Sequence, residues 1–142
     1  FIYHNLVKKM ISIYRNSKLD AVFLDNIIDG SGFEIFSLDS MKQSLKFAKG
    51  DAKEHVTKYL RLNKKKFKIV KFSGPKTLFR KDLRLTIDNP EDLILCKAIY
   101  DKFKNDAPLF SLKKIINFVD KNPKYKKLTS KYTLDGYKTM YL

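Results

Sequence analysis

The sequence predicts an α/β layered domain, and three observations carry that expectation. Short apolar runs of strand length alternate with segments whose apolar residues recur every three or four positions. One such junction, Leu83–Ile87 followed by Asp88-Asn89-Pro90-Glu91-Asp92, reads as a strand running straight into a helix start. The strand-like runs in the middle of the chain lie close together, which implies a mixed sheet.

The elements follow in order. Residues 5–17 place Leu6, Val7, Met10, Ile11 and Tyr14 on one helical face. Ala21–Leu24 suits a buried strand, and Asp25 to Gly32 is a turn-rich stretch whose glycines permit unusual backbone angles. Phe33–Phe36 alternates as a strand, with Glu34 and Phe36 on one side and Phe33 and Ile35 on the other. Ser37 and Asp39 are candidate helix starts before Leu38, Met41, Leu45 and Ala48, which share one face. Gly50 ends that helix, and Asp51 caps the next, with Ala52, Val56, Tyr59 and Leu60 inward. Phe67–Phe72 is a strand broken by Ser73-Gly74-Pro75, and Leu83–Ile87 is another. Asn89 suits the N-cap and Pro90 the first helical position, while Glu91 and Asp92 complement the positive helix end. That helix runs to about Phe103, with Leu93, Cys96, Ile99, Tyr100 and Phe103 inward. Ser111 caps a helix holding Leu112, Ile115, Ile116 and Val119, which Asn122-Pro123 stops. The remaining stretch to Leu142 is basic, tyrosine-rich and weakly periodic, compatible with a linker, an ordered extension or an interface. The domain is therefore drawn as residues 1–123, with 124–142 as a basic C-terminal extension.

Composition narrows the function classes. With 44% hydrophobic and 13% aromatic residues, 142 residues suffice for one domain with a real core. No apolar run approaches the roughly 20 residues that cross a bilayer, and no signal-peptide pattern opens the chain. A soluble, cytoplasmic protein is the expectation. The single Cys96 excludes an internal disulfide framework and reads as a small core residue. Phe1 in place of a methionine suggests a segment of a longer chain. The net charge of +15 invites nucleic acid or another anionic partner. Against that, only Arg15, Arg61, Arg80 and Arg84 are arginines, and the lysines are spread along the whole chain. The one dense cluster, Lys64-Lys65-Lys66, reads as a solvated helix-to-strand loop, with phosphate contact as the alternative.

Three constellations carry candidate chemistry. Asp88 stands at a strand's C-terminal end beside a helix start, where ligands of open α/β sheets collect. A carboxylate there either holds Mg²⁺ against phosphate oxygens or merely caps the helix. In Gly30–Ser37, the glycine turn allows backbone to approach a ligand, and Glu34 accepts from a sugar hydroxyl or supports a metal; the plainer reading is a solvent-facing turn. In Glu54-His55-Val56-Thr57, His55 either donates to a carboxylate or phosphate, or is a structural helical residue. No HExxH, paired cysteines, Ser-His-Asp pattern or P-loop occurs, and His4 has no partner nearby in sequence.

These stretches, in this order, resemble one family. RLTIDNPEDLILCKAIY (Arg84–Tyr100) is similar to the C-terminal signature of spore-coat polysaccharide-type cytidylyltransferases, relatives of the acylneuraminate and keto-deoxy-octulosonate enzymes. That signature reads Arg-x-Thr-Val-Asp-Thr-Pro-Glu-Asp-Leu before an amphipathic helix, with Ile87 and Asn89 as mild departures here. DGSGFEIFS (Asp29–Ser37) resembles the family's Asp-Gly-x-Asp-x-Glu-x-Phe-Ser, with Gly32 where an Asp is usual. EHVTKYLRLN (Glu54–Asn63) resembles its Glu-His-Val-Thr-x-Tyr helix, and FSLKKIINFVDKNP (Phe110–Pro123) its closing helix.

The resemblance implies the C-terminal portion of a three-layer GT-A/nucleotide-diphospho-sugar-transferase-like domain. It implies an enzyme that transfers CMP from CTP to a sugar, a keto-sugar acid, releasing pyrophosphate for surface polysaccharide biosynthesis. It assigns Mg²⁺ as cofactor and Asp88 as its catalytic ligand, and it places Glu34, His55, Arg84 and Gly30 around the substrate. It also implies homodimers, as family members often pair. The family's triphosphate-gripping loop has no counterpart in these residues, so the chain alone is expected to be inactive. The departure at Gly32 keeps a degenerate, scaffold-like homologue open. The alternative from another class is a non-catalytic basic α/β module that binds nucleic acid or an acidic partner.

Overall fold

The structure, a computed structural model, describes residues 1–140, with side chains described as far as Thr133. It divides into two compact units, one of residues 5–25 and 33–72, the other of residues 1–4, 26–32 and 73 onward.

The first unit is an α/β layer around a three-stranded mixed sheet in the order β2-β1-β3. Helix α1 (Val7–Asn16) precedes β1 (Ala21–Asp25), whose five residues are all buried: the apolar run Ala21–Leu24, and then Asp25, whose charge must find a partner inside. Strand β2 (Glu34–Phe36) runs antiparallel to β1 with Ala21 opposite Phe36, Val22 opposite Ile35 and Phe23 opposite Glu34. Strand β3 (Ile69–Ser73) flanks the other side of β1. Ala21, Phe23, Leu60 and Phe67 form the core, with Phe36, Tyr59 and Ile69 packed against it.

One expectation in this unit fails, and one apolar face lies where no core covers it. Helix α2 (Leu38–Phe47) starts at the expected Ser37 cap, whose hydroxyl accepts from Ser40 N at 3.0 Å. Yet its buried residues are Ser40 and Ser44, followed by Ala48, while Leu38, Met41 and Leu45 are 66%, 44% and 82% exposed. The serines go inward because each finds a carbonyl: Ser40 Oγ donates to Asp20 O at 3.3 Å and Ser44 Oγ to Val56 O at 3.3 Å. The helix expected from Asp51 is broken into a 3₁₀ turn (Gly50–Lys53), further turns, and a short α3 (Lys58–Leu62). Separate bonds, Glu54 N to Asp51 O and Lys58 N to His55 O, close these turns one at a time.

The second unit is built on helices α4 (Pro90–Phe103), α5 (Leu112–Asp120) and α6 (Pro123–Met140). The strand expected at Leu83–Ile87 reduces to one parallel bridge between Asp29 and Arg84, with Leu85 N donating to Asp29 O at 2.8 Å. Its partner segment cannot stay extended, because Asn26 and Gly30 have φ of 53° and 80°. A Cβ at Gly30 would collide with the backbone nitrogen of Thr86 and the carbonyl carbon of Leu85. Helix α4 begins where the sequence places it, with Asn89 at the N-cap and Pro90 first. Its buried stripe is Asp92, Leu95, Cys96 and Ile99, so Leu93 and Tyr100 face outward, each about half exposed. The stripe is rotated because Asp92 is drawn fully inside to accept from Asp88 N and Asn89 N, at 3.1 and 3.0 Å. Helix α5 buries Leu112, Ile115, Ile116 and Val119 as expected. Helix α6 packs on α4 and α5, burying Thr129 and Thr133, and Tyr132 Oη donates to Glu91 Oε2 at 3.2 Å. No described helix is long and apolar enough to cross a membrane.

Candidate functional site

The start of α4 gathers a buried cluster of charges in the second unit. Arg84, 5% exposed, directs its guanidinium at three carboxylates. Nε donates to both oxygens of Asp92 at 3.1 and 3.2 Å, Nη1 donates to Asp29 Oδ2 at 3.2 Å, and Nη2 pairs with Asp88 Oδ2. Burial opposes the arginine's charge, but the bond to Asp92 and the surrounding carboxylates more than offset it, raising its pKa. Asp29 and Asp92 are essentially sealed from solvent, whereas the Asp88 side chain is 64% exposed and also accepts from Thr86 Oγ1 at 3.3 Å. Burial pushes the Asp29 carboxyl above the usual range, against the pull of Arg84, and its Oδ1 has no hydrogen-bond partner. Three carboxylates around one guanidinium leave this cluster with an excess of negative charge, partly unsatisfied.

Gly30 lies in the same unit as Arg84 and Asp88, packed against the backbone of residues 85–86 as described above. Cys96 is a core residue here: its thiol faces Leu85 O at 3.7 Å, and burial pushes its pKa up to about 11.

Glu34 and His55 fall in the other unit. On the sheet face that carries Phe23 and Asp25, β2 brings Glu34 opposite Phe23, so the two carboxylates of Asp25 and Glu34 become neighbours. Arg61 from α3 fills the space between them. Its Nη1 and Nη2 donate to the two oxygens of Asp25 at 3.1 and 2.9 Å, and its Nε and Nη2 to Glu34 Oε1 at 3.1 and 2.5 Å. The guanidinium lies 4.0 Å from the Phe23 ring centroid, and Lys71 Nζ adds a second cation 3.2 Å from Asp25. Glu34 keeps 29% of its side chain exposed. His55 sits in an exposed turn, not on the expected helix, near enough to Asp51 to help lower that carboxyl's pKa after the dominant Lys58 bond.

Asp25, Asp29, Arg61 and Asp92 were not singled out by sequence reasoning. The signal was present in the rarity of arginine. Three of the four, Arg61, Arg80 and Arg84, each grip two or more carboxylates, as the planar fork allows and lysine does not.

No family model matches the chain. An uncharacterized protein of Methanocaldococcus jannaschii is 33% identical over 134 residues, which cover 94% of this chain and 54% of that protein. Among solved structures, a cytidylyltransferase from Leptospira borgpetersenii serovar Hardjo-bovis superposes with a TM-score of 0.69 at 23% identity, covering 87% of this chain and 53% of that one. The fold is thus shared with that structure, and the chain spans about half the length of each protein it matches.

Proposed function

We propose, starting from the shared fold, that this chain is the C-terminal half of a GT-A-like cytidylyltransferase that moves CMP from CTP to a keto-sugar acid for surface polysaccharide. In that reaction a sugar hydroxyl oxygen forms a new bond to the α-phosphorus of CTP. The bond from that phosphorus to the β-phosphate oxygen breaks, and pyrophosphate leaves. The reaction needs positioning and charge neutralisation more than covalent help from the protein.

The observation that carries the reading is the asymmetry around Arg84. Two of its three carboxylates are sealed and fix the guanidinium, and Asp88 alone reaches solvent, at the start of α4. Among the described residues no group of three or more His, Cys, Asp or Glu side chains is arranged to hold a metal by itself. A single exposed carboxylate is nonetheless the donor set that suits Mg²⁺, which dehydrates reluctantly and takes one or two carboxylates together with substrate phosphates. Asp88 would hold the ion, which when bound neutralises charge on the phosphates. Arg84 orients Asp88, and Asp29 and Asp92 orient Arg84. Glu34, held by Arg61, accepts from a sugar hydroxyl; His55 donates to the sugar's carboxylate; and the Gly30 turn shapes the approach to residues 85–86.

The test is Asp88→Asn in a protein that joins this segment to the family's triphosphate-binding half. Pyrophosphate release from CTP and a keto-sugar acid should fall by about 10²–10³-fold, with the melting temperature unchanged. Full activity would remove Asp88 from the mechanism.

A further inference from the structure

We infer that α6 positions the segment that carries Asp88, pinning it at both ends: Lys126 holds Asp82 before it, and Lys131 with Tyr132 holds Glu91 after it. The segment needs such support. The strand expected at Leu83–Ile87 reduces to one bridge, so no ladder of backbone bonds fixes residues 82–91 as a sheet would. From beneath, Asp29 and Asp92 hold Arg84, while Ile87 and Asp88 are exposed.

Helix α6 meets this segment through residues that its period brings to one side. Lys126, Thr129 and Tyr132 recur every third position. Thr129 and Thr133 are buried where α6 packs on α4 and α5, so the helix itself is fixed. Lys126 Nζ pairs with Asp82 Oδ2, and the same carboxylate takes two bonds from Arg80, both at 2.8 Å. Arg80 also donates to Asp120 of α5 at 2.9 and 2.7 Å, so Asp82 is tied to two helices. At the other end Tyr132 Oη donates to Glu91 Oε2 at 3.2 Å, and Lys131 Nζ lies 2.8 Å from Oε1. The Lys131 bond, ahead of the one from Tyr132, holds the Glu91 carboxyl below its usual range.

Lys126 and Tyr132, six residues apart, lie about 9 Å apart along the helix axis. The nine residues from Asp82 to Glu91, if free, could stretch to about 30 Å. The segment is therefore held folded back, with Asp88 between its two anchors. A surface pair alone contributes little, but two anchors on one packed helix restrict the segment together. The family resemblance ends at Pro123, where α6 begins, so this role belongs to the extension itself. The positioning of a metal-holding carboxylate rests on the reading of Asp88 above; the pinning of residues 82–91 does not.

Hydrogen–deuterium exchange of the chain, read peptide by peptide, tests the pinning. In Lys126→Met/Tyr132→Phe the amides of residues 82–92 should exchange about tenfold faster, with α5 unchanged. Lys126→Arg alone should exchange as the wild type does. Unchanged exchange over 82–92 in the double variant would overturn the proposal, as would a rise shared equally by α5, which marks general loosening. Activity is read in the protein joined to the triphosphate-binding half. There the double variant should need about tenfold more Mg²⁺ for half its maximal rate, with kcat at saturating Mg²⁺ retained, a split that loss of fold would not give. If Asp88→Asn abolishes turnover but the double variant keeps the wild-type Mg²⁺ requirement, the positioning role is overturned and the reading of Asp88 stands. If Asp88→Asn is fully active, that reading falls, and exchange alone decides the pinning.

Discussion

Each unit buries one arginine among carboxylates, and the two clusters differ in how they balance. Around Arg61, two cations, Arg61 and Lys71, face two carboxylates, Asp25 and Glu34, and the guanidinium also rests on the Phe23 ring. Around Arg84, one cation faces three carboxylates, one buried oxygen lacks a partner, and one carboxylate stands largely in solvent. The first cluster is balanced in formal charge, and Glu34 keeps one edge in solvent while Asp25 and Arg61 are buried. The second is over-charged and open on one side, and another cation would complete it. The contrast teaches that imbalance with access, rather than buried charge by itself, marks where a further cation would bind.

The largest expected effect is Arg84→Met. It strands Asp29 and Asp92 without a cation, and breaking a buried pair from one side costs about 3–5 kcal/mol. Urea denaturation should show that loss. Arg61→Met should cost less, about 2 kcal/mol, because Lys71 remains beside Asp25 and Glu34 is already partly solvated. If Arg61→Met proves the costlier, the balanced cluster is the tighter of the two and the contrast fails.

A pH series sharpens the same point at smaller amplitude. Burial holds the Asp29 carboxyl above its ordinary 3.8, so over that window the folded chain keeps a proton that the unfolded chain has released. The contribution of Asp29 is therefore fully present below the unfolded value and is lost as pH rises through the raised folded one. Relative to Asp29→Asn, the wild type should lose stability as pH climbs from about 3.8, read from denaturation midpoints. A gain with pH would mean that Arg84 overcomes burial and that the cluster is better balanced than its geometry implies.

How far the sequence announced these clusters follows from what each element needs. Helix α4 was legible to its first residue because Asn89, Pro90 and Asp92 act locally at a helix start. Strand β1 was legible over Ala21–Leu24 because a strand buried on both faces reads as a continuous apolar run, whereas its buried last residue, Asp25, breaks that pattern. Leu83–Ile87 misled because its residues suit a strand, while pairing depended on Asn26 and Gly30, far away in sequence. Helix α2 misled because periodicity identifies an apolar face without saying what covers it, and here the serines found carbonyls inside. Asp88 could be picked out from the strand-to-helix junction, and Arg84 from the family resemblance. Asp29 could not be joined to them, since the bond spans 55 residues. The Arg61 cluster was hidden in the same way, as Asp25, Glu34 and Arg61 meet only once β1 and β2 are in register.

The smallest effect concerns Lys64, Lys65 and Lys66, which lie exposed at an open cleft of about 500 Å³ next to Arg61, with no ion-pair partner among the described residues. They offer the best case for the rival reading, a basic module for nucleic acid. Replacing all three by alanine should leave stability within about 0.5 kcal/mol, since none supports a buried group. Wild-type binding to duplex DNA should be weak and indifferent to sequence. Its logarithmic salt dependence should flatten by up to about 2.7 in the triple variant, the share of three neutralised phosphates. Filter binding at low and moderate salt measures both. Tight binding that survives salt and distinguishes sequences would make the lysine loop the functional surface, and the one open carboxylate beside Arg84, Asp88, would then only border a helix start.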